Sequence, residues 1–169
     1  MTTPEFSRPL RVEPLPRDGL VQHIEASAEE RAALARLNGL AEIAALKAHF
    51  RIVKWRRGVQ VEGDLSARLT QTCVVSLEPF EVEIEEPIEV KFLPAQDGGV
   101  GPDSDDPDAP DELVDGKIDL GALASEFLTL ALDPYPRKPG VAFEPPADAP
   151  DKASAFERLR ALSERDEPD

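Results

Sequence analysis

Residues 79–93 read PFEVEIEEPIEVKFL. Phe80, Val82, Ile84, Ile88, Val90 and Phe92 share one parity, while Glu81, Glu83, Glu85, Glu89 and Lys91 share the other. Successive strand side chains point to opposite faces, so a period of two predicts a strand with one apolar and one wetted face. Working backwards, Val59, Val61, Leu65, Ala67 and Leu69 alternate with Gln60, Glu62, Asp64, Ser66 and Arg68. Further upstream, Leu46, Ala48, Phe50 and Ile52 alternate with Lys47, His49 and Arg51, and Arg57-Gly58 reads as a tight turn between these two runs. Three such runs in succession predict an antiparallel meander with one greasy and one wet face.

The flanks supply helices. Ser27 stands three residues before Glu30, a capping box, and a helix is expected from about Ala28 to Arg36, stopped by Asn38-Gly39. Before it, Ser7–Glu13 and Gly19–Ala26 read as short strands separated by Pro14, Pro16 and Gly19. After the meander, Asp119 is a good N-cap for a helix carrying Leu120, Leu123, Ala124, Phe127, Leu128 and Ala131, ended by Pro134 and Pro136. The fold class is therefore α+β: a curved antiparallel sheet packed by helices. Residues 1–145 are expected to form this one domain. Residues 146–169 read as an acidic tail with a short amphipathic helix at 152–165, marked by Phe156, Leu159 and Leu162.

The chain of 169 residues has a formal charge of −15 with 17 prolines, nine aromatics and one cysteine. Such acidity argues against a polyanion as partner. Its distribution weakens that argument. Residues 1–96 carry 15 acidic and 12 basic side chains, whereas 97–115 carry eight acidic and none basic. That segment, with almost nothing apolar to bury, is expected to be a disordered loop. It lacks the residue order of a calcium loop and is broken by prolines. One cysteine excludes an internal disulfide and any site built from several thiolates. No apolar run reaches the length of a membrane span, so a soluble, cytoplasmic chain without a membrane partner is expected.

Two groups of residues could carry chemistry of recognition. Lys47, Arg51, Lys54, Arg56 and Arg57, with Trp55 embedded, gather toward a hairpin tip, and long cations beside an aromatic suit contacts to phosphates and bases. The plainer reading pairs these cations across the sheet with Glu81, Glu83, Glu85 and Glu89. Pro134-Tyr135-Pro136-Arg137-Lys138 either presents Tyr135, Arg137 and Lys138 to a partner or complements a helix dipole. Cys73 would need His23 or His49 beside it to act as a nucleophile, and no spacing demonstrates that.

The run Gly63-Asp64-Leu65 through Thr72-Cys73-Val74-Val75-Ser76-Leu77-Glu78-Pro79-Phe80, the acidic segment, and Asp119-Leu120-Gly121 with its helix together resemble the YceD family of large ribosomal RNA subunit accumulation proteins. The likeness spans roughly residues 10–145, and DPYPRKPG after the helix resembles the alphaproteobacterial branch. The resemblance implies a non-enzymatic role in synthesis, processing or stability of large-subunit ribosomal RNA. The partner would be that RNA, a pre-ribosomal particle, or a basic ribosomal or processing protein bound through the acidic loop. Many members carry Cys-x-x-Cys where this chain has Cys73-Val74-Val75-Ser76, and a second cysteine-containing stretch near the loop after the helix. Here residues 133–140 hold no cysteine, so a metal site is not carried over and no cofactor is expected.

Overall fold

The apolar parity positions of the three runs, Phe80 apart, face one core. The computed structural model describes residues 4–100 and 109–143, and its compact unit ends at Pro139. Elements follow as β1 (Pro9–Arg11), β2 (Leu20–Glu25), α1 (Ala28–Leu37), β3 (Glu42–Trp55), β4 (Gly58–Thr72), β5 (Pro79–Leu93), β6 (Asp111–Glu112), β7 (Lys117–Asp119) and α2 (Leu120–Ala131). Five strands form one sheet in the order β2-β3-β4-β5-β6, and β1 pairs with β7 separately. The β2–β3, β3–β4 and β4–β5 pairs are antiparallel.

The core is where the period of two put it. Leu46, Phe50, Ile52, Val61, Leu65 and Leu69 are fully buried, and Leu120, Ala124 and Leu128 of α2 and Leu34 of α1 join the same cluster. Local signals hold as well. Ser27 and Glu30 exchange the two hydrogen bonds of a capping box at the start of α1. Asp119 caps α2 by accepting from the backbone N–H groups of Gly121 and Ala122.

Two expectations change. The sheet is mixed, because the two-residue strand β6 pairs parallel to β5; so short an element has no period for a sequence to display. The β3–β4 turn is Arg56-Arg57, one residue earlier than expected, since Trp55 pairs with Gly58. The acidic segment 97–115 is built into the fold at both ends. Leu113 is buried and donates its N–H to the Leu93 carbonyl at 2.8 Å, and the Val100 N–H reaches the Pro110 carbonyl at 2.9 Å. Residues 101–108 and the tail helix expected at 152–165 lie outside the described residues.

Candidate nucleic-acid interface

Register decides which charges meet on the wet face. Across it, Arg51 lies opposite Glu62 and Glu62 opposite Glu89; Lys47 lies opposite Ser66 and Ser66 opposite Glu85. The glutamate row thus stands two strands away from β3, with β4 between them. The expected pairing of Glu81, Glu83, Glu85 and Glu89 with the β3 cations does not occur among the described residues. Lys47 instead meets Glu25 of β2 at 3.6 Å, and Arg51 makes no ion pair there. Nor do the six basic-cluster residues form one surface. Lys54 shares the parity of Ile52, so it projects from the opposite face to Arg51 and Trp55, beyond the end of the core.

What the fold does assemble is the tip of the β3–β4 hairpin. Trp55 is half-buried, and the guanidinium carbon of Arg56 sits 4.4 Å from the indole centroid. The ammonium of Lys91, from β5, lies 5.8 Å from the same centroid. Both distances fall in the range where a cation is attracted to the ring face. Arg56 adopts φ 50°, a left-handed backbone that side chains other than glycine and asparagine rarely take. Arg57 points away to Asp97, with 2.8 Å between them. In the sequence Lys91 is one member of an alternating strand. Nothing in sequence links it to Trp55, 36 positions earlier, because the link is the β4–β5 register that sets Gln60 opposite Lys91.

Tyr135, Arg137 and Lys138 lie at the other end of the long hairpin. The 15 residues of β4 put roughly 45 Å of strand between the two ends. There the loop after α2 docks on the β4–β5 turn. The Val74 N–H donates to the Pro136 carbonyl at 2.9 Å, and the Gln71 amide donates to the Asp133 carbonyl at 3.2 Å. Lys138 is joined to Glu78 at 2.8 Å, which raises the ammonium pKa and lowers that of the carboxyl. Its charge is therefore locally balanced. Leu77 of that turn and Tyr135 of that loop stand 75% and 71% exposed, and Leu77 is the one the sequence did not single out. Both are far more open than a core residue, and Leu77 is held at φ 59° by the turn.

Cys73 sits inside that junction, with no exposed surface. Its thiol pKa is pushed down to about 6, first by a hydrogen bond to the Ser76 side chain, then by the N–H groups of Ser76 and Lys138, against the opposing effect of burial. Ser76, three residues on, thus stands as the hydrogen-bonding partner of Cys73. The region is held by this network and by packing. His23 and His49 stack on each other with ring centroids 4.4 Å apart, and His49 Nδ1 lies 3.6 Å from Asp64. Asp64 and Cys73 are nine positions apart on or just beyond β4, roughly 30 Å of strand. No cysteine–histidine pair forms. Among the described residues no group of three His, Cys, Asp or Glu side chains could hold a metal ion.

A depressed thiol pKa stabilises the fold above the unfolded pKa, ordinarily about 8.5. That contribution is lost as pH falls through about 6. The stability difference between the native chain and Cys73→Ala is therefore expected to be larger at pH 9 than at pH 6. Urea midpoints at the two pH values check this, and a difference that grows toward pH 6 would contradict it.

A family model described as large ribosomal RNA subunit accumulation protein YceD matches residues 61–167. No curated protein and no solved structure matches the chain. The matched stretch holds most of β4, all of β5, the Cys73–Ser76 turn, the acidic segment, and α2 with the loop that docks on that turn. The chain belongs to the YceD family.

Proposed function

We propose that this protein is a non-enzymatic factor in the synthesis, processing or stability of large-subunit ribosomal RNA, and that it meets RNA through the β3–β4 hairpin tip. The family name points to accumulation of that RNA. The observation that carries the contact is the convergence of Arg56 and Lys91 on Trp55. Phosphates are bound by such cations, and bases by the aromatic plane between them. Lys47 and Arg51, further down β3, extend the same basic strand. The excess acid lies in 97–115 and the tail, and one of its members, Asp97, is already paired with Arg57 at the tip, so RNA has to compete with that contact.

The opposite end, with Tyr135 and Arg137 beside exposed Leu77, is assigned to a protein contact within the same particle. Tyrosine and arginine are the residue types that dominate such contacts, and Lys138 is already neutralised by Glu78.

Replacing Arg56 and Arg57 by glutamate in cells tests the RNA contact. The expected result is loss of co-sedimentation with large-subunit particles and a lower level of large-subunit ribosomal RNA. Unchanged association and unchanged RNA would sink the proposal. Association that survives nuclease treatment would move the contact from RNA to protein.

A further inference from the structure

Resting on the RNA reading above, we infer that the Trp55 tip is a stacking site for unpaired bases, so that its ligand is single-stranded RNA. A turn between two long strands ordinarily places glycine or asparagine at positive φ. This one places Arg56 there, at φ 50°. Strain of this kind persists where surrounding structure holds it, and it concentrates at functional positions. Here it accompanies a guanidinium whose central carbon lies 4.4 Å from the Trp55 centroid. Arg57, the neighbouring turn residue, is tied to Asp97 and takes no part.

The elements fit one kind of ligand. A base has two π-faces, and in a duplex both are covered by neighbouring bases. An indole half-buried against its own strand can reach such a face only when the base is unpaired. Arg56 supplies a second planar surface against which a base can lie, and Lys91, 3.4 Å from Glu89, supplies an ammonium that a phosphate would have to draw from that carboxylate. Stacking of this type tolerates any base, so recognition would follow strandedness rather than sequence.

Trp55 is the only tryptophan in the chain, so its fluorescence reports this site alone. The probes are a 12-nucleotide oligo(U) RNA and the A/U duplex of the same length. Oligo(U) is expected to quench Trp55 saturably, and the duplex to leave it unchanged. Trp55→Leu should weaken binding of labelled oligo(U), measured by anisotropy, about tenfold, the scale of one lost stack. Arg56→Gly is the discriminating variant. Glycine suits the left-handed backbone better than arginine, so the melting temperature should stay equal or rise while oligo(U) binding falls about fivefold. A lower melting temperature in Arg56→Gly would overturn the assignment of strain to function. Oligo(U) bound with full affinity by Trp55→Leu would overturn stacking and leave RNA binding intact. Equal quenching by the duplex would overturn the single-strand assignment. Binding of neither RNA would overturn this inference and the RNA contact together.

Discussion

Gly63→Ala is expected to lower the unfolding free energy by about 3 kcal/mol, the upper end of what overpacking an interior costs. Gly63 lies within β4 and is paired on both sides, with Phe50 of β3 and Ile88 of β5. A β-carbon built there would stand 2.0 Å from the carbonyl oxygen of His49 and 3.1 Å from the α-carbon of Phe50. Those are backbone atoms inside a sheet and cannot swing aside as a long side chain would. Relief requires β3 and β4 to separate, which breaks ladder hydrogen bonds and lifts fully buried Phe50 from its seat. Ser66→Ala, three residues on and on the exposed face, is the matched control and should stay within about 0.5 kcal/mol of the native chain. Urea unfolding of both variants measures the difference. Equal midpoints would show that the strands yield more easily than their geometry allows.

Asp119→Ala is expected to lose a comparable amount, about 3 kcal/mol, by a different route. Its carboxylate accepts from the Ser7 hydroxyl at 2.5 Å, the Arg8 N–H at 2.7 Å, and the N–H groups of Gly121 and Ala122 at 3.0 and 3.1 Å. Loss of an N-cap accounts for about 1 kcal/mol. Leaving the part-buried donors of Ser7 and Arg8 without a partner adds about 2 more. The same side chain also fastens the segment before β1 to the start of α2, so both should loosen together. Hydrogen exchange at Arg8 and Ala122 would register that coupling. The pH dependence has a definite sign. Burial works to raise the Asp119 pKa, but the Ser7 hydroxyl and the Arg8, Ala122 and Gly121 amides outweigh it and hold the carboxyl below its ordinary range. Its stabilisation is thus complete above about pH 4 and lost as pH falls further. The native chain should approach Asp119→Ala in stability below pH 4. A gap that persists to pH 2 would show that the carboxylate is not the source.

These two residues mark the boundary of what one-dimensional reading can reach. Asp119 was legible as a cap because a helix N-terminus needs an acceptor within two or three residues, a local requirement. Its bonds to Ser7 and Arg8 were not, because they join residues 112 and 111 positions apart. Gly63 was visible only as a gap in the alternation of β4. That a carbonyl of the neighbouring strand occupies the gap depends on pairing, and no residue near Gly63 in sequence announces it. The acidic segment shows the same limit: nothing in its composition marks out Leu113, which is buried in the core.

The candidate site divides along the same line. The sequence by itself determined that β3, β4 and β5 are strands, which of their faces is apolar, and that cations cluster around one tryptophan. Each of these follows from a period of two or from neighbours along the chain. Only the tertiary structure decided which charges share a surface. Register placed β4 between the β3 cations and the β5 glutamates, brought Lys91 to Trp55, and left the two histidines facing each other far from Cys73. Register is set by how whole strands bury their apolar faces against one core, and a shift of a single residue reverses every side chain. Strand identity is therefore local, and the site built from it is not.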